Sequence, residues 1–196
     1  MLRGKFITFY GINNIGKSTH ARILCDRLKK EGFEPVFVKY PVYEVEPTGE
    51  FLNKVLRTGE QKITEEELQL WFALNRHQYE PTLKKHLMDG KTVIAEDYIG
   101  TGIAWGITKG ANEDWLEEIN KYLLRPDLSI LLEGERTIQA VEKGHIHETN
   151  DELMVRARKT HVSLAKKFAW HVIKMQERKQ DTAKLVWETV KEFFEV

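Results

Sequence analysis

Apolar residues recur along this chain in two rhythms. Five runs are short, rich in β-branched residues and bounded by Gly, Pro or charge: Lys5–Tyr10, Pro35–Lys39, Thr92–Glu96, Leu128–Leu132 and Trp170–Lys174. Near-continuous apolar runs of this length read as strands buried on both faces. Between them the apolar positions fall at helical spacing. Thr19–Leu28 reads as a helix, and Phe51, Leu52, Val55 and Leu56 as a short one ending near Gly59. Thr64, three residues before Glu67, is a capping box with Thr64 as N-cap and Glu67 returning the bond. The helix it opens carries Leu68, Trp71, Phe72 and Tyr79, with Pro81 expected to kink or divide it and Asp89-Gly90 to stop it. Trp115, Leu116, Ile119, Tyr122 and Leu123 form another amphipathic stretch. Leu153–Phe168 and Leu185–Phe194 are the last two helices.

Strands alternating with helices imply right-handed crossovers and a parallel sheet covered on both faces. The expected fold is α/β, a three-layer P-loop architecture with about five parallel strands. A length of 196 residues favours one domain. No repeat, low-complexity linker or domain boundary interrupts it. The least regular segment, 133–151, carries two glycines and several charges and is expected to be a mobile lid.

The pattern gains chemistry at the end of the first strand. Gly11-Ile12-Asn13-Asn14-Ile15-Gly16-Lys17-Ser18-Thr19 fits G-x-x-x-x-G-K-[ST], between a predicted strand and a predicted helix. That context is what a phosphate-binding P-loop requires. Successive backbone N–H groups of such a loop turn toward phosphate oxygens, and the following helix adds its positive end. Gly11, Asn13, Asn14, Ile15, Gly16, Lys17, Ser18 and Thr19 are therefore the expected ATP-binding residues. Lys17 would reach the β- and γ-phosphates, and the Ser18 hydroxyl would hold Mg²⁺.

Charge and cysteine usage narrow the setting. Thirty Lys and Arg against thirty Asp and Glu leave no net field to draw the chain to nucleic acid or membrane. No apolar run approaches the ~18–20 residues of a spanning helix. Cys25 is the only cysteine, so no internal disulfide or Cys-based metal site is available; its neighbours suggest a half-buried helix position. Met1–Gly4 runs straight into the first strand, so a signal peptide is not expected and the reduced cytoplasm is. His145 and His147 are spaced as ligands on a strand, but no third ligand accompanies them, and exposed loop histidines is the simpler reading. Arg156, Arg158, Lys159, Lys166 and Lys167 read as a solvated helix face.

Several segments together resemble one family, and the resemblance covers nearly the whole chain. GINNIGKSTHA, the KYP step after the second strand, LQLWFALNR, VIAEDYIGTGIAWG, RPDLSILL and KFAWHVI follow the order and spacing of thymidylate kinases, which move the γ-phosphoryl of ATP onto dTMP. The resemblance implies that Phe72 stacks on the base and Arg76 donates hydrogen bonds to it. They are four apart and share a helix face. Read from spacing alone, Phe72 also suits a core position beside Trp71 and Leu68, and Arg76 a surface ion pair. Tyr98, Thr101, Gly102, Ala104 and Trp105 match the segment lining the sugar and base; Trp105 stands where the family has Tyr or Phe, and it too could be a core aromatic.

The chain departs from the family pattern at charged positions. Relatives have Asp-Arg before the Tyr; here the pair is Glu96-Asp97. Glu96 can replace the Asp, which serves Mg²⁺ and substrate. Asp97 cannot replace an Arg that clamps the acceptor phosphate. At about 4 Å, two like unit charges repel by roughly 4 kcal/mol at an effective dielectric of 20. No Arg follows Pro41, which leaves Lys39 or Arg57 to compensate. Tyr10 and Asn13-Asn14 stand where acidic residues are usual, and Lys143, with Arg136 behind it, is the remaining lid cation. The expected reaction is phosphoryl transfer from ATP to a deoxynucleoside monophosphate, most simply dTMP, with Lys17, Glu96 and Asp97 as catalytic residues and Ser18 and Glu96 at the metal. A deoxynucleoside kinase, in which Glu96 or Asp97 acts as base toward a 5′-hydroxyl, and a nucleotide-binding protein without turnover are the rivals. A homodimer is implied by the resemblance.

Overall fold

β1 (Phe6–Tyr10) shows how the strands specify the layers. Phe6 and Tyr10 face one side of the sheet and Ile7 and Phe9 the other, and all are buried. The computed structural model describes residues 4–57, 62–134 and 151–194. Beside β1 lie β3 (Thr92–Glu96) and β4 (Leu128–Glu133), with β2 (Pro35–Lys39) and β5 (His171–Lys174) at the edges. The order is β2-β3-β1-β4-β5 and every pairing is parallel. Between β1 and β4 the registered pair Thr8 and Ser129 share a hydrogen bond of 3.0 Å, satisfying two hydroxyls in an otherwise apolar layer.

α1 (Lys17–Lys30) and α7 (Lys179–Phe194) pack on one face through Leu24, Leu28, Val186 and Val190. The other face carries α3 (Glu65–Met88), α4 (Ile99–Thr108) and α6 (Asp151–Lys167), whose Leu83, Leu87, Ile103 and Leu164 share a core with Phe6, Tyr10 and Leu131. α2 (Thr48–Arg57) and α5 (Glu113–Glu118) flank this layer. The three-layer α/β expectation is met, including all five strands.

The differences are local. α1 starts at Lys17, inside the phosphate motif itself. α4 was not anticipated, because three glycines, at 100, 102 and 106, lower helix propensity; burial against α3 and α6 overrides the cost. Pro81 does not divide α3, which runs on to Met88. Leu68 and Ala73 before it, and Leu83 and Leu87 after it, are all buried, so tertiary packing holds both halves in one helix. Thr64 caps α3 as expected, accepting from the Glu67 N–H at 3.1 Å. The Glu67 carboxylate, though, lies 3.4 Å from the Trp71 indole nitrogen. The stretch expected to run through Leu123 is helical only to Glu118, and the last helix begins earlier, at Lys179. Glu133, the first residue of the expected lid segment, is the last of β4. It pairs in register with Lys174 and accepts from Arg158. Residues 135–150, with Arg136, Lys143, His145 and His147, lie outside the described residues. Cys25 is more buried than expected, and burial pushes its thiol up to about 11.

Candidate active site

The loop Gly11–Gly16 turns between β1 and α1 with positive φ at Gly11 (141°), Asn14 (62°) and Gly16 (99°). At Gly11 only glycine fits, since a Cβ would stand 2.7 Å from the Leu132 carbonyl oxygen. Lys17 folds back over this loop. Its ammonium donates to the carbonyls of Gly11 (3.0 Å) and Ile12 (2.9 Å) and lies 3.7 Å from Asp97 Oδ1.

The carboxyl end of β3 meets the loop. Glu96, the last residue of β3, is registered beside Lys39, the last of β2. One Glu96 oxygen accepts from the Ser18 hydroxyl at 2.5 Å; the other lies 3.4 Å from the Lys39 ammonium. Asp97 follows in the left-handed region, φ 57°, with its N–H on the Phe9 carbonyl. Thr101 donates to its Oδ1 at 2.7 Å. The Asp97 carboxylate is thus faced by a hydroxyl and by the Lys17 ammonium. Ser18 Oγ and Glu96 Oε2 are adjacent hard oxygen donors, the chemistry Mg²⁺ prefers when phosphates and water complete its shell. Among the described residues no group of three or more His, Cys, Asp or Glu forms an all-protein metal cage.

The opposite wall is helical. Leu68, Gln69, Phe72, Asn75 and Arg76 of α3 follow 3.6-residue spacing and face the cleft. Asn75 accepts from the Val42 N–H (2.8 Å) and donates to the Val42 carbonyl (2.8 Å) and to Thr48 Oγ1 (2.9 Å). Gln78 accepts from Thr48 and donates to the Glu46 carbonyl. Two amides of one helix thus fasten the whole crossing from β2 to α2.

Arg76 is the most unusual group. It is almost wholly buried, donates to Asn120 Oδ1 at 2.9 Å, and its Nε has no hydrogen-bond partner among the described residues. Burial pulls its pKa below the ordinary value, while Tyr98, Tyr10, Tyr40 and Asp97 act in the opposite direction. Burying a cation whose hydrogen bond goes to a neutral amide costs several kcal/mol, an expense with purpose where a ligand completes the set. Gly102 of α4 makes the room: a Cβ there would come 2.5 Å from Arg76 Nη2.

These parts line one cavity of about 450 Å³. Of the predicted residues, Asn13, Asn14, Gly16, Lys17, Ser18, Thr19, Phe72, Arg76, Glu96, Asp97, Tyr98, Gly102 and Trp105 line it. Gly11 and Ile15 do not. Gly11 holds Lys17 through its carbonyl, and Ile15 is buried in the core beneath the loop. Arg76 is no surface ion pair, and Phe72 is a cleft wall instead of core. Of the two compensating cations considered, Lys39 lines the cavity, whereas Arg57 lies over the Tyr43 ring. On the solvated face of α6, Arg158 pairs with Glu133 and Lys167 with Glu113 and Glu117. Sequence reasoning missed Tyr40, Asn75 and Lys109 in the lining and Asn120 behind Arg76. The spacing 98, 101, 102, 105, 109 is itself helical, and it was the available sign of α4.

Behind the loop, His161 of α6 is buried, with Nδ1 2.8 Å from the Ala157 carbonyl and no partner on Nε2 among the described residues. It borders a void of about 10 Å³ with Gly11, Ile12 and Leu132. Burial drives its pKa down to about 4, against the lift of the Ala157 bond.

Comparison with known proteins follows the same lines. The family model described as thymidylate kinase matches residues 9–186. The probable thymidylate kinase of Thermococcus onnurineus is 30% identical over 176 residues, covering 83% of this chain and 85% of that protein. The thymidylate kinase of Halothermothrix orenii is 33% identical over 148 residues, 73% of this chain and 68% of that one. The solved structure of thymidylate kinase from Candida albicans superposes with a TM-score of 0.82 at 22% identity, over 98% of this chain and 93% of the other.

Proposed function

The chain belongs to the thymidylate kinase family, and on that premise we propose how its cleft divides the work. The enzyme is an ATP-dependent nucleoside monophosphate kinase that converts dTMP to dTDP. ATP lies on the Gly11–Thr19 loop, and dTMP lies between α3 and α4 with its base against Phe72 and Arg76. The observation that carries this division is that Lys17 and Ser18 share one cavity with Phe72 and Arg76.

An oxygen of the acceptor phosphate attacks the γ-phosphorus in line, and the bond from that phosphorus to the β–γ bridging oxygen breaks, leaving ADP. The ionised acceptor needs no base. Catalysis is therefore mostly positioning and neutralisation of charge. Lys17 exchanges its two carbonyl contacts for phosphate oxygens. Ser18 and Glu96 would hold Mg²⁺, which would supply neutralisation of the phosphate charge. Asp97 orients the acceptor side through Thr101 and Lys17. Lys143, outside the described residues, is the further cation the family resemblance assigns to ATP. Trp105, Tyr98 and Gly102 shape the sugar and base wall.

The direct test is an acceptor panel with ATP and Mg²⁺, read as ADP release. dTMP should be turned over; phosphorylation of thymidine alone, or ATP binding with no consumed acceptor, would overturn the reading. In the same assay Arg76→Ala should raise KM for dTMP roughly 10-fold or more while KM for ATP moves little, as expected for losing a charged hydrogen bond. Equal effects on both would remove Arg76 from the base pocket.

A homodimer is supported by Leu70 and Leu74, one turn apart on α3 and nearly half exposed. Sedimentation should show a dimer, and Leu70→Glu with Leu74→Glu should shift it to monomer; an unchanged mass would place the contact elsewhere. No helix among the described residues is long and apolar enough to cross a membrane. A cytoplasmic setting fits the single buried thiol.

A further inference from the structure

We infer that the acceptor phosphate is held by Lys39, at the end of β2, in a cleft whose position after β3 carries the carboxylate of Asp97. This rests on the proposed division of the cleft between ATP and dTMP.

Four cationic side chains line the cavity among the described residues: Lys17, Lys39, Arg76 and Lys109. Three have places that remove them from the acceptor phosphate. Lys17 belongs to the P-loop. Arg76 is buried at the base end and tied to Asn120. Lys109 caps the far end of α4 and pairs with Glu65 at 2.7 Å. A ten-residue helix is about 15 Å long, so the Lys109 backbone lies at the opposite end of α4 from Asp97. Lys39 lies where the two substrates must meet. It is registered beside Glu96, and its ammonium is 3.4 Å from the Glu96 oxygen opposite the one that Ser18 holds. One carboxylate thus spans the Lys39 ammonium and the P-loop hydroxyl.

The surroundings suit this role. Lys39 is about half exposed, so its head can turn from Glu96 to a ligand without opening the core. The Tyr40 N–H donates to the Glu96 carbonyl at 2.9 Å, and Asn75 fastens the chain just beyond at Val42. The stem of Lys39 therefore starts from a fixed backbone. A lysine on a flexible stem serves a phosphate as a point charge, whereas an Arg serves as a planar fork.

The test compares dTMP with thymidine, which differ only by the phosphate. Calorimetric titration of wild type should show tighter binding of dTMP. Lys39→Met should weaken dTMP by roughly 10- to 100-fold and leave thymidine binding within about two-fold, a split that loss of fold would not produce. Lys39→Arg should retain most of the dTMP preference. Circular dichroism checks that each variant is folded, and Lys39→Gln replaces the Met variant if that one is not. An unchanged ratio of dTMP to thymidine affinity in Lys39→Met, or no preference in wild type, overturns the inference. Because the readout is binding, it stands apart from turnover. If wild type failed to phosphorylate dTMP but bound it through Lys39, the proposed reaction would fall and the contact would remain.

Discussion

Lys17→Met should give a folded protein whose turnover of ATP and dTMP falls on the order of 10²- to 10³-fold or more, the cost of losing one preorganised charge at a reacting phosphate. Methionine keeps the stem that fills the space over the P-loop, where Lys17 is only 5% exposed. What disappears is the ammonium that bridges the Gly11 and Ile12 carbonyls and faces Asp97. In the folded protein those two carbonyls lose a donor, so a small loss of stability should accompany the change. The larger loss is kinetic, because transfer of the γ-phosphoryl leaves Asp97 and the reacting phosphates unneutralised. Steady-state rates, with thermal melting as the control for folding, check it. A variant that kept wild-type kcat would show that the ammonium plays no part in the chemical step.

His161 should make the enzyme acid-labile between about pH 6.5 and pH 4. Its folded pKa, driven to about 4 by burial, lies below the ordinary 6.5 of an exposed histidine. Between those values the unfolded chain binds a proton that the folded chain excludes, so stability falls as pH drops through this window. Below about pH 4 both states are protonated and the loss is complete. Above about pH 6.5 neither is, and His161 contributes no slope. A shift of this size corresponds to about 3 kcal/mol, a large part of the stability of an ordinary domain. Urea titrations at pH 7, 6, 5 and 4.5 should show wild type losing this much more than His161→Leu. Parallel curves for the two proteins would refute the assignment. Because His161 borders the void beneath Gly11 and Ile12, P-loop geometry should fail with it, and KM for ATP should rise at the acid end.

Much of this was legible before the fold was known, because it is encoded in neighbouring residues. The P-loop depends on glycine at two positions and on a strand before and a helix after, all within one short stretch. The five strands announce themselves as apolar runs because both their faces are covered. Thr64 caps α3 through a contact three residues away. Phe72 and Arg76 share a face because the α-helix has a fixed period. The misses share a cause as well. α4 is rich in glycine and stands as a helix because α3 and α6 press on it. Pro81 is carried through α3 because buried leucines on both sides outweigh one lost backbone bond.

Local order along the chain thus establishes the parallel sheet, the donor loop and a nucleotide-kinase pattern, since each rests on periodicity or on contacts within a few residues. The acceptor half belongs to long-range contacts. Arg76 meets Asn120 across 44 residues, Ser18 meets Glu96 across 78, and Asn75 fastens Val42 across 33. No spacing rule encodes which of Lys39 and Arg57 reaches the cleft. That choice follows from the register of β2 on β3, which sets Lys39 beside Glu96, while Arg57 ends α2 over Tyr43. Electrostatic roles depend on distances of a few ångströms, and only the packed sheet and helices bring those charges together.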